Sequence, residues 1–211
     1  MDFKLIFLQI EANPGISVIK NTVSKLDELK RHLKKGKVYR RDELAKYSTS
    51  VDRHLALLLK DGTLKKVSRG LYYYPVETAF GTPPPEDEML VKSFLKDDRF
   101  LLTSPNAYNG LGVGTTQLYN KRIVYNHKRH GDFKLGNRTF SFRIKPHFPH
   151  KLTAEFLIVE LVNNLNTLAE DTTDVMRKVS DKMMTMDKKK LARSISEYGN
   201  VKTRKLLSDI V

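Results

Sequence analysis

The stretch from Lys37 to Pro75, KVYRRDELAKYSTSVDRHLALLLKDGTLKKVSRGLYYYP, decides the fold. Asp42 and Glu43 open a short helix expected to reach Tyr47, since carboxylates in a first turn suit the positive end of the helix dipole. Ser48-Thr49-Ser50 breaks that helix and supplies hydroxyls for a new start, with Thr49 and Asp52 spaced as a capping box with a shorter acid. A second helix is expected from about Ser50. Within it Val51, Leu55, Leu58 and Leu59 recur on one face, which is core, while Arg53, Ala56 and Lys60 fall on other faces and His54 sits near the boundary. Asp61-Gly62 stops the helix. Two β-rich runs follow, Leu64 to Val67 and Leu71 to Tyr74, joined by Ser68-Arg69-Gly70, whose glycine can take the positive φ of a tight hairpin. Helix, turn, helix and basic hairpin in this order are the sequence form of a winged helix.

That arrangement sets one helix end and one β-ribbon against a duplex. Ser48, Thr49, Ser50, Arg53 and His54 lie at the end of the second helix that commonly reaches base edges, and are expected to read sequence. Lys65, Lys66 and Arg69 on the hairpin are expected to neutralise phosphates and hold register. The alternative is a winged helix used only to dock protein, its cations a solvated surface. Nine Lys/Arg against four Asp/Glu between Gly36 and Gly70 favour nucleic acid.

The remaining composition bounds the function. The 211 residues, 40% apolar, suffice for a sizeable core and one or two domains. Net charge is +14, and it is front-loaded: +7 over residues 1–80, +5 over 81–150 and +2 over 151–211. Such a balance favours polyanionic partners and salt-sensitive association. The absence of cysteine excludes disulfides, thiolate metal sites and cysteine nucleophiles, and suits a reducing cytoplasm. Phe3 to Ile10 is apolar but far short of a membrane helix and lacks signal-peptide architecture, so a soluble cytoplasmic protein without a membrane partner is expected.

Upstream of the decisive stretch, an amphipathic helix is expected over Ser17 to Lys35, its stripe carried by Val18, Val23, Leu26, Leu29 and Leu33. Downstream, Gly81-Thr-Pro-Pro-Pro85 continues neither helix nor sheet and is followed by the acidic helix start Glu86-Asp87-Glu88. A domain boundary belongs here: 1–80 as the DNA-binding unit, 81–211 as a second unit, with residues 15–80 expected to fold alone. In the second unit the pattern predicts a helix to about Lys96, a strand at Phe100 to Thr103, a short helix over Asn106 to Gly110, and strands at Arg122 to Tyr125, Asp132 to Leu135 and Thr139 to Ile144. Gly136-Asn137 is a hairpin signal between the last two. Phe156 to Val162 reads as a helix buried almost all round, and helices at about 172–184, 187–198 and 201–210 finish the chain. The fold class is therefore α+β, with a small antiparallel sheet and a helical tail.

Several patterns resemble sites. Gly110-Leu-Gly-Val-Gly-Thr115 lacks the Lys-Ser/Thr ending and the spacing of a phosphate loop, and a glycine-rich turn accounts for it better. His127, His130, His147 and His150 form two short-spaced pairs, but prolines and a Gly-Asp turn deny them a shared helix face, so no metal is expected, nor any cofactor. Asp132 is the sole acid between residues 115 and 150, too few ligands for two-metal nuclease chemistry and no basis for naming a catalytic residue. That same stretch interleaves Lys121, Arg122, Lys128, Arg129, Lys134, Arg138, Arg143 and Lys145 with Tyr119, Tyr125, Phe133, Phe140 and Phe142. Strand alternation can bury the aromatics and present the cations as a second basic surface, or simply as the charged outside of an ordinary sheet. Met176, Met183, Met184 and Met186 are expected to fill a helical core.

Four segments carry a resemblance: SRGLYYYP from Ser68, AFGTPPP from Ala79, SPNAYNGLGVGTTQLYNKRIVYN from Ser104, and FKLGNRTFSFRIK from Phe133. Together they resemble the AbiEi family of antitoxins of bacterial type IV toxin-antitoxin systems, over most of residues 37–145. The resemblance implies an N-terminal winged helix, a C-terminal antitoxin domain, a role in phage defence, and repression of the protein's own operon through operator inverted repeats. The partners it implies are double-stranded DNA and a nucleotidyltransferase-like toxin. By position it supports Thr49, Ser50 and Arg53 on the recognition helix, and Lys65, Lys66 and Arg69 on the wing. Residues 151–211 share only a helical tail with that family. Rivals from other classes are a nucleic-acid-processing enzyme with a winged-helix targeting domain, a DNA-binding regulator without antitoxin activity, and a protein-interaction module.

Overall fold

Leu71, Tyr72 and Tyr73 are consecutive and all buried, which a strand achieves only by serving two cores at once. In the computed structural model, which describes residues 24–113, 120–168, 171–208 and 210, these residues form β3 (Leu71–Tyr73), the middle strand of a three-stranded antiparallel sheet. Its neighbours are β1 (Val38–Arg40) and β2 (Lys65–Ser68). Tyr72, with Tyr39 and Tyr74, faces three helices: α1 (Lys25–His32), α2 (Arg41–Leu44) and α3 (Val51–Lys60). There it meets Leu29, Leu33, Leu44, Val51, Leu55, Leu58 and Leu64. Leu71, Tyr73 and Val38 point the other way, into a core shared with Leu90, Val91 and Leu95 of α4 (Asp87–Leu95) and with a second sheet.

That second sheet has the order β4-β5-β7-β6: β4 (Phe100–Thr103), β5 (Arg122–Asn126), β7 (Arg138–Ile144) and β6 (Gly131–Leu135). It also serves two cores. Val124, Phe140 and Phe142 face α4, whereas Leu101, Ile123 and Tyr125 face Phe148 and Phe156. Phe156 belongs to α5 (Ala154–Asn163), whose far side packs with α6 (Thr172–Met184), α7 (Lys188–Tyr198) and α8 (Val201–Ser208). The chain thus stacks helices, sheet, helix, sheet and helices.

The fold departs from the sequence expectations at several points. The sheet expected to be antiparallel is mixed, because β5 and β7 run parallel with β6 at the edge. The device is Asn126, whose amide nitrogen donates to the carbonyls of Val124 and Arg129 while its Oδ1 accepts from the N–H groups of Lys128 and Arg129. It folds a tight loop that carries the chain past β7. The helix expected over Asp42 to Tyr47 is α2 continued by a 3₁₀ turn, Ala45–Tyr47. Strand β1 was not legible, since three residues give no periodicity. The upstream helix begins at Lys25 with Ser24 as its cap, the Ser24 hydroxyl accepting from Asp27 N–H at 3.1 Å. Val18, Val23 and the run Phe3 to Ile10 lie outside the described residues, as do Tyr119 and the end of the Gly110–Thr115 turn. Met176, Met183 and Met186 pack into the helical core as expected, but Met184 is 77% exposed.

Packing crosses Gly81 to Pro85. Tyr73 donates its phenol to the Pro83 carbonyl, Arg138 donates to that of Pro85, and apolar side chains from both sides of the run meet in one core. Arg40 donates to the Ser93 and Phe94 carbonyls at the negative end of α4, and Lys96 pairs with Asp42. Among the described residues no helix is long and apolar enough to cross a membrane.

Candidate nucleic-acid interface

Helix α3 buries Val51, Leu55 and Leu58 and leaves Asp52, Arg53, Ala56, Leu57 and Lys60 exposed. Beyond Asp61 and Gly62, the latter at φ 77, the chain enters β2. Lys65 and Lys66 lie exposed on that strand opposite Tyr73 and Tyr72. A β-bulge then separates Lys66 from Ser68. It has a positional consequence: Val67 packs toward the core shared with the second sheet, and its carbonyl accepts from Gly136 N–H at 2.6 Å. The hairpin is thereby anchored while its cations stay on the surface. At the tip Gly70 adopts φ 72, and its carbonyl accepts from Arg41 N–H at 2.9 Å, tying hairpin to α2.

The sequence-derived readers divide. Thr49, Ser50 and Arg53 are exposed. Ser48 and His54 are not: they are 5% and 8% exposed and joined by a 2.7 Å hydrogen bond between the Ser48 hydroxyl and His54 Nδ1. Burial and mutual bonding remove both from the surface, so they fix the turn ahead of α3 instead of reading bases. The Thr49–Asp52 capping box does not form either. Ser50 is the N-cap and makes no side-chain cap bond, and Asp52 turns to Arg41, accepting from its Nε at 2.7 Å and from its Nη2. Hydrogen bonding to Arg41 holds the Asp52 carboxyl below its usual range, and Asp52 in turn raises the Arg41 guanidinium. The one acid in the first turn of α3 is therefore neutralised. Arg53, Lys60, Lys65, Lys66 and Arg69 have no ion-pair or hydrogen-bond partner for their side chains among the described residues. Leu57, 41% exposed, completes the outer face of α3; it is the apolar residue left off the core stripe, and that was its only signal in the sequence.

The second cationic set behaves differently. Arg122 and Arg138 both pair with Asp87 in the first turn of α4, Lys128 pairs with Asp97 at 2.8 Å, and Lys145 pairs with Glu160. Arg129 stacks over the Phe94 ring at 4.6 Å, and Arg143 is half-buried. Only Lys121 and Lys134 of the eight are exposed without a partner among the described residues. Four of the eight cations of the possible second basic surface are thus engaged in ion pairs. The alternation itself holds: Tyr125, Phe140 and Phe142 are buried.

Glu160 is the functional-looking residue that sequence reasoning passed over. An acid inside the apolar run Phe156 to Val162 was the available signal. It is 3% exposed and accepts from the Tyr125 hydroxyl at 2.6 Å, from Asn164 Nδ2 at 2.6 Å, from Asn163 Nδ2 at 3.3 Å and from Lys145. Burial alone would raise its carboxyl; Lys145, Tyr125 and Asn164 outweigh burial and hold it below the ordinary value. Burial and the Glu160 charge raise the Tyr125 phenol, so it stays a donor. His127 stacks on Phe148 at 4.8 Å, and no three His, Asp or Glu side chains converge as metal ligands among the described residues.

Among solved structures, the fold is similar to that of the RV2827C protein from Mycobacterium tuberculosis. The two superpose with a TM-score of 0.54 at 16% identity, over 88% of this chain and 74% of the other. None of the curated proteins matches the chain. The family model for DUF6088, described as a family of unknown function, matches residues 25–195, and the chain belongs to that family.

Proposed function

We propose that residues 24–75 act as a winged helix on double-stranded DNA, with α3 as recognition helix and the β2–β3 hairpin as wing. The observation that carries this reading is that the cations on these two elements have no partner among the described residues, whereas four of the eight cations between residues 121 and 145 are paired with acids. Exposed Arg and Lys with no internal partner are what phosphate neutralisation and counterion release require. Thr49, Ser50 and Arg53 at the N-terminal end of α3 supply donors and acceptors for base edges, and Ala56 and Leu57 supply apolar contact of the kind a thymine methyl takes. The anchor of Val67 on Gly136 sets the wing relative to the rest of the molecule.

On the AbiEi resemblance, the DNA is the operator of the protein's own operon, and the second half of the chain counteracts a nucleotidyltransferase-like toxin. Repression of the operon and protection from the toxin are separate outputs in this reading. The test is fluorescence anisotropy of duplexes from upstream of the gene, against scrambled duplexes, combined with growth of cells co-expressing the full chain and the neighbouring gene from an unrelated promoter. Sequence-specific, salt-dependent binding with growth rescue supports the whole proposal. Binding without rescue leaves a DNA-binding regulator, and the absence of duplex binding removes the winged-helix assignment.

A further inference from the structure

Between the end of β7 and the α7–α8 turn lies a cleft of about 430 Å³, far from the exposed cations of α3 in the chain and walled by Tyr125, Arg143, Lys145, Glu160, Tyr198 and Arg204 among others. Its volume is in the range of small-molecule sites. The polar groups in it are unevenly matched. Glu160 is saturated: each of its oxygens already accepts two hydrogen bonds, from Tyr125 and Asn164 on one and from Lys145 and Asn163 on the other. It offers a ligand nothing. The donors are not saturated. Arg143 Nε is buried without a hydrogen-bond partner, an arrangement that ordinarily costs stability unless an acceptor arrives.

Arg204 is aimed at the same space by a dedicated contact. Its Nε donates to the Gly199 carbonyl at 2.7 Å, and its stem passes so close to Gly199 that a Cβ there would stand 3.0 Å from Arg204 Cγ and 2.6 Å from the Ile195 carbonyl oxygen. Glycine is needed for that approach, and the terminal nitrogens of Arg204 are left without an acid partner among the described residues. Asn200 also lines the cleft; its Oδ1 is occupied by the Thr203 N–H, which leaves its amide N–H groups as donors. Ile144, 54% exposed, and Pro146 give the cleft an apolar side.

Two carboxylates line the cleft, the saturated Glu160 and Glu197, which lies 3.8 Å from Arg193; against them stand Arg143, Lys145 and Arg204, and the arginine donors without acid partners among the described residues are complementary to an oxyanion. We propose that this cleft binds a small phosphorylated molecule, its phosphate held by Arg143 and Arg204 and its less polar part lying along Ile144 and Pro146. The site is independent of the duplex interface: it uses none of the same residues.

The experiment follows the arginine Nε–H resonances of the full-length ¹⁵N-labelled protein during titration with inorganic phosphate and then adenosine 5′-monophosphate, at constant ionic strength, with adenosine as the phosphate-free control. Arg143→Gln and Arg204→Gln assign the two resonances and serve as binding variants. The expected result is a saturable shift of both resonances, tighter for the nucleotide than for phosphate and absent with adenosine, with affinity reduced at least tenfold in each variant. Arg204 is exposed, so Arg204→Gln should keep the thermal midpoint even if Arg143→Gln does not. Linear, unsaturating shifts shared with Arg53, or unchanged affinity in Arg204→Gln with its fold intact, would overturn the site.

Discussion

Two regions of this molecule are rich in cations and use them differently. On α3 and the β2–β3 hairpin, Arg53, Lys65, Lys66 and Arg69 project to solvent without partners among the described residues, and the nearby acid Asp52 is occupied by Arg41. On the second sheet, Arg122, Lys128, Arg138 and Lys145 lie against Asp87, Asp97 and Glu160 and hold the layers together. Composition cannot tell these apart. A paired cation has already lost much of the field that a phosphate would feel, whereas an unpaired one retains it, which is why the proposed duplex face is placed on the first region and not on the second.

The largest effect expected from this contrast is on folding. Residues 24–80 cut from the rest would expose Val38, Leu71 and Tyr73, each contributing about 1.5–3 kcal/mol when buried. The fragment is expected to show poorly dispersed NMR spectra, while the full chain is well dispersed. A fragment with native-like dispersion would mean that the shared core matters little to the N-terminal helices.

Next comes the buried pair. Glu160→Gln strips Lys145 of its counter-charge and should destabilise the protein by about 3 kcal/mol in urea unfolding, at the low end for a broken buried pair because Lys145 keeps some exposure. A pH dependence accompanies it. The folded Glu160 carboxyl lies below its unfolded value, so the unfolded chain binds the extra proton; the contribution is complete above the unfolded value of about 4.3 and is lost as pH falls through the folded one. The acid-side loss of stability should therefore be shallower in Glu160→Gln than in the wild type. Identical slopes would show that Glu160 does not titrate as described.

Arg53→Gln should leave stability within about 0.5 kcal/mol, as surface changes do. Its effect belongs to recognition: discrimination between specific and scrambled duplexes should shrink by on the order of 1 to 3 kcal/mol if Arg53 makes a bidentate base contact. An equal loss on both duplexes would make it a phosphate contact instead.

Much of the N-terminal architecture was legible because its signals are local. The stripe Val51, Leu55, Leu58, the stop at Gly62 and the turn at Gly70 each depend on neighbours in sequence. What was not legible is tertiary. Ser48 and His54 look like surface polars until their hydrogen bond and burial are seen, and the pairing of Arg122 and Arg138 with Asp87 joins residues 35 and 51 positions apart. The parallel β5–β7 pairing depends on one asparagine loop, and the double-sided burial of β3 depends on a partner sheet that no local pattern announces.

The most direct test of the division between binding and cohesion is the salt dependence of duplex affinity. Wild type, Lys65→Gln/Arg69→Gln and Lys121→Gln/Lys134→Gln are compared by anisotropy over a series of salt concentrations. The last pair changes two exposed cations of the second-sheet region that have no partner among the described residues, and removes the same charge. The wing variant should lower the magnitude of the log–log slope by about 0.9 for each phosphate no longer neutralised, on any duplex, while the sheet variant should leave it unchanged. Equal reductions in both variants, or a reduction confined to the sheet variant, would contradict the assignment of α3 and the hairpin as the nucleic-acid face.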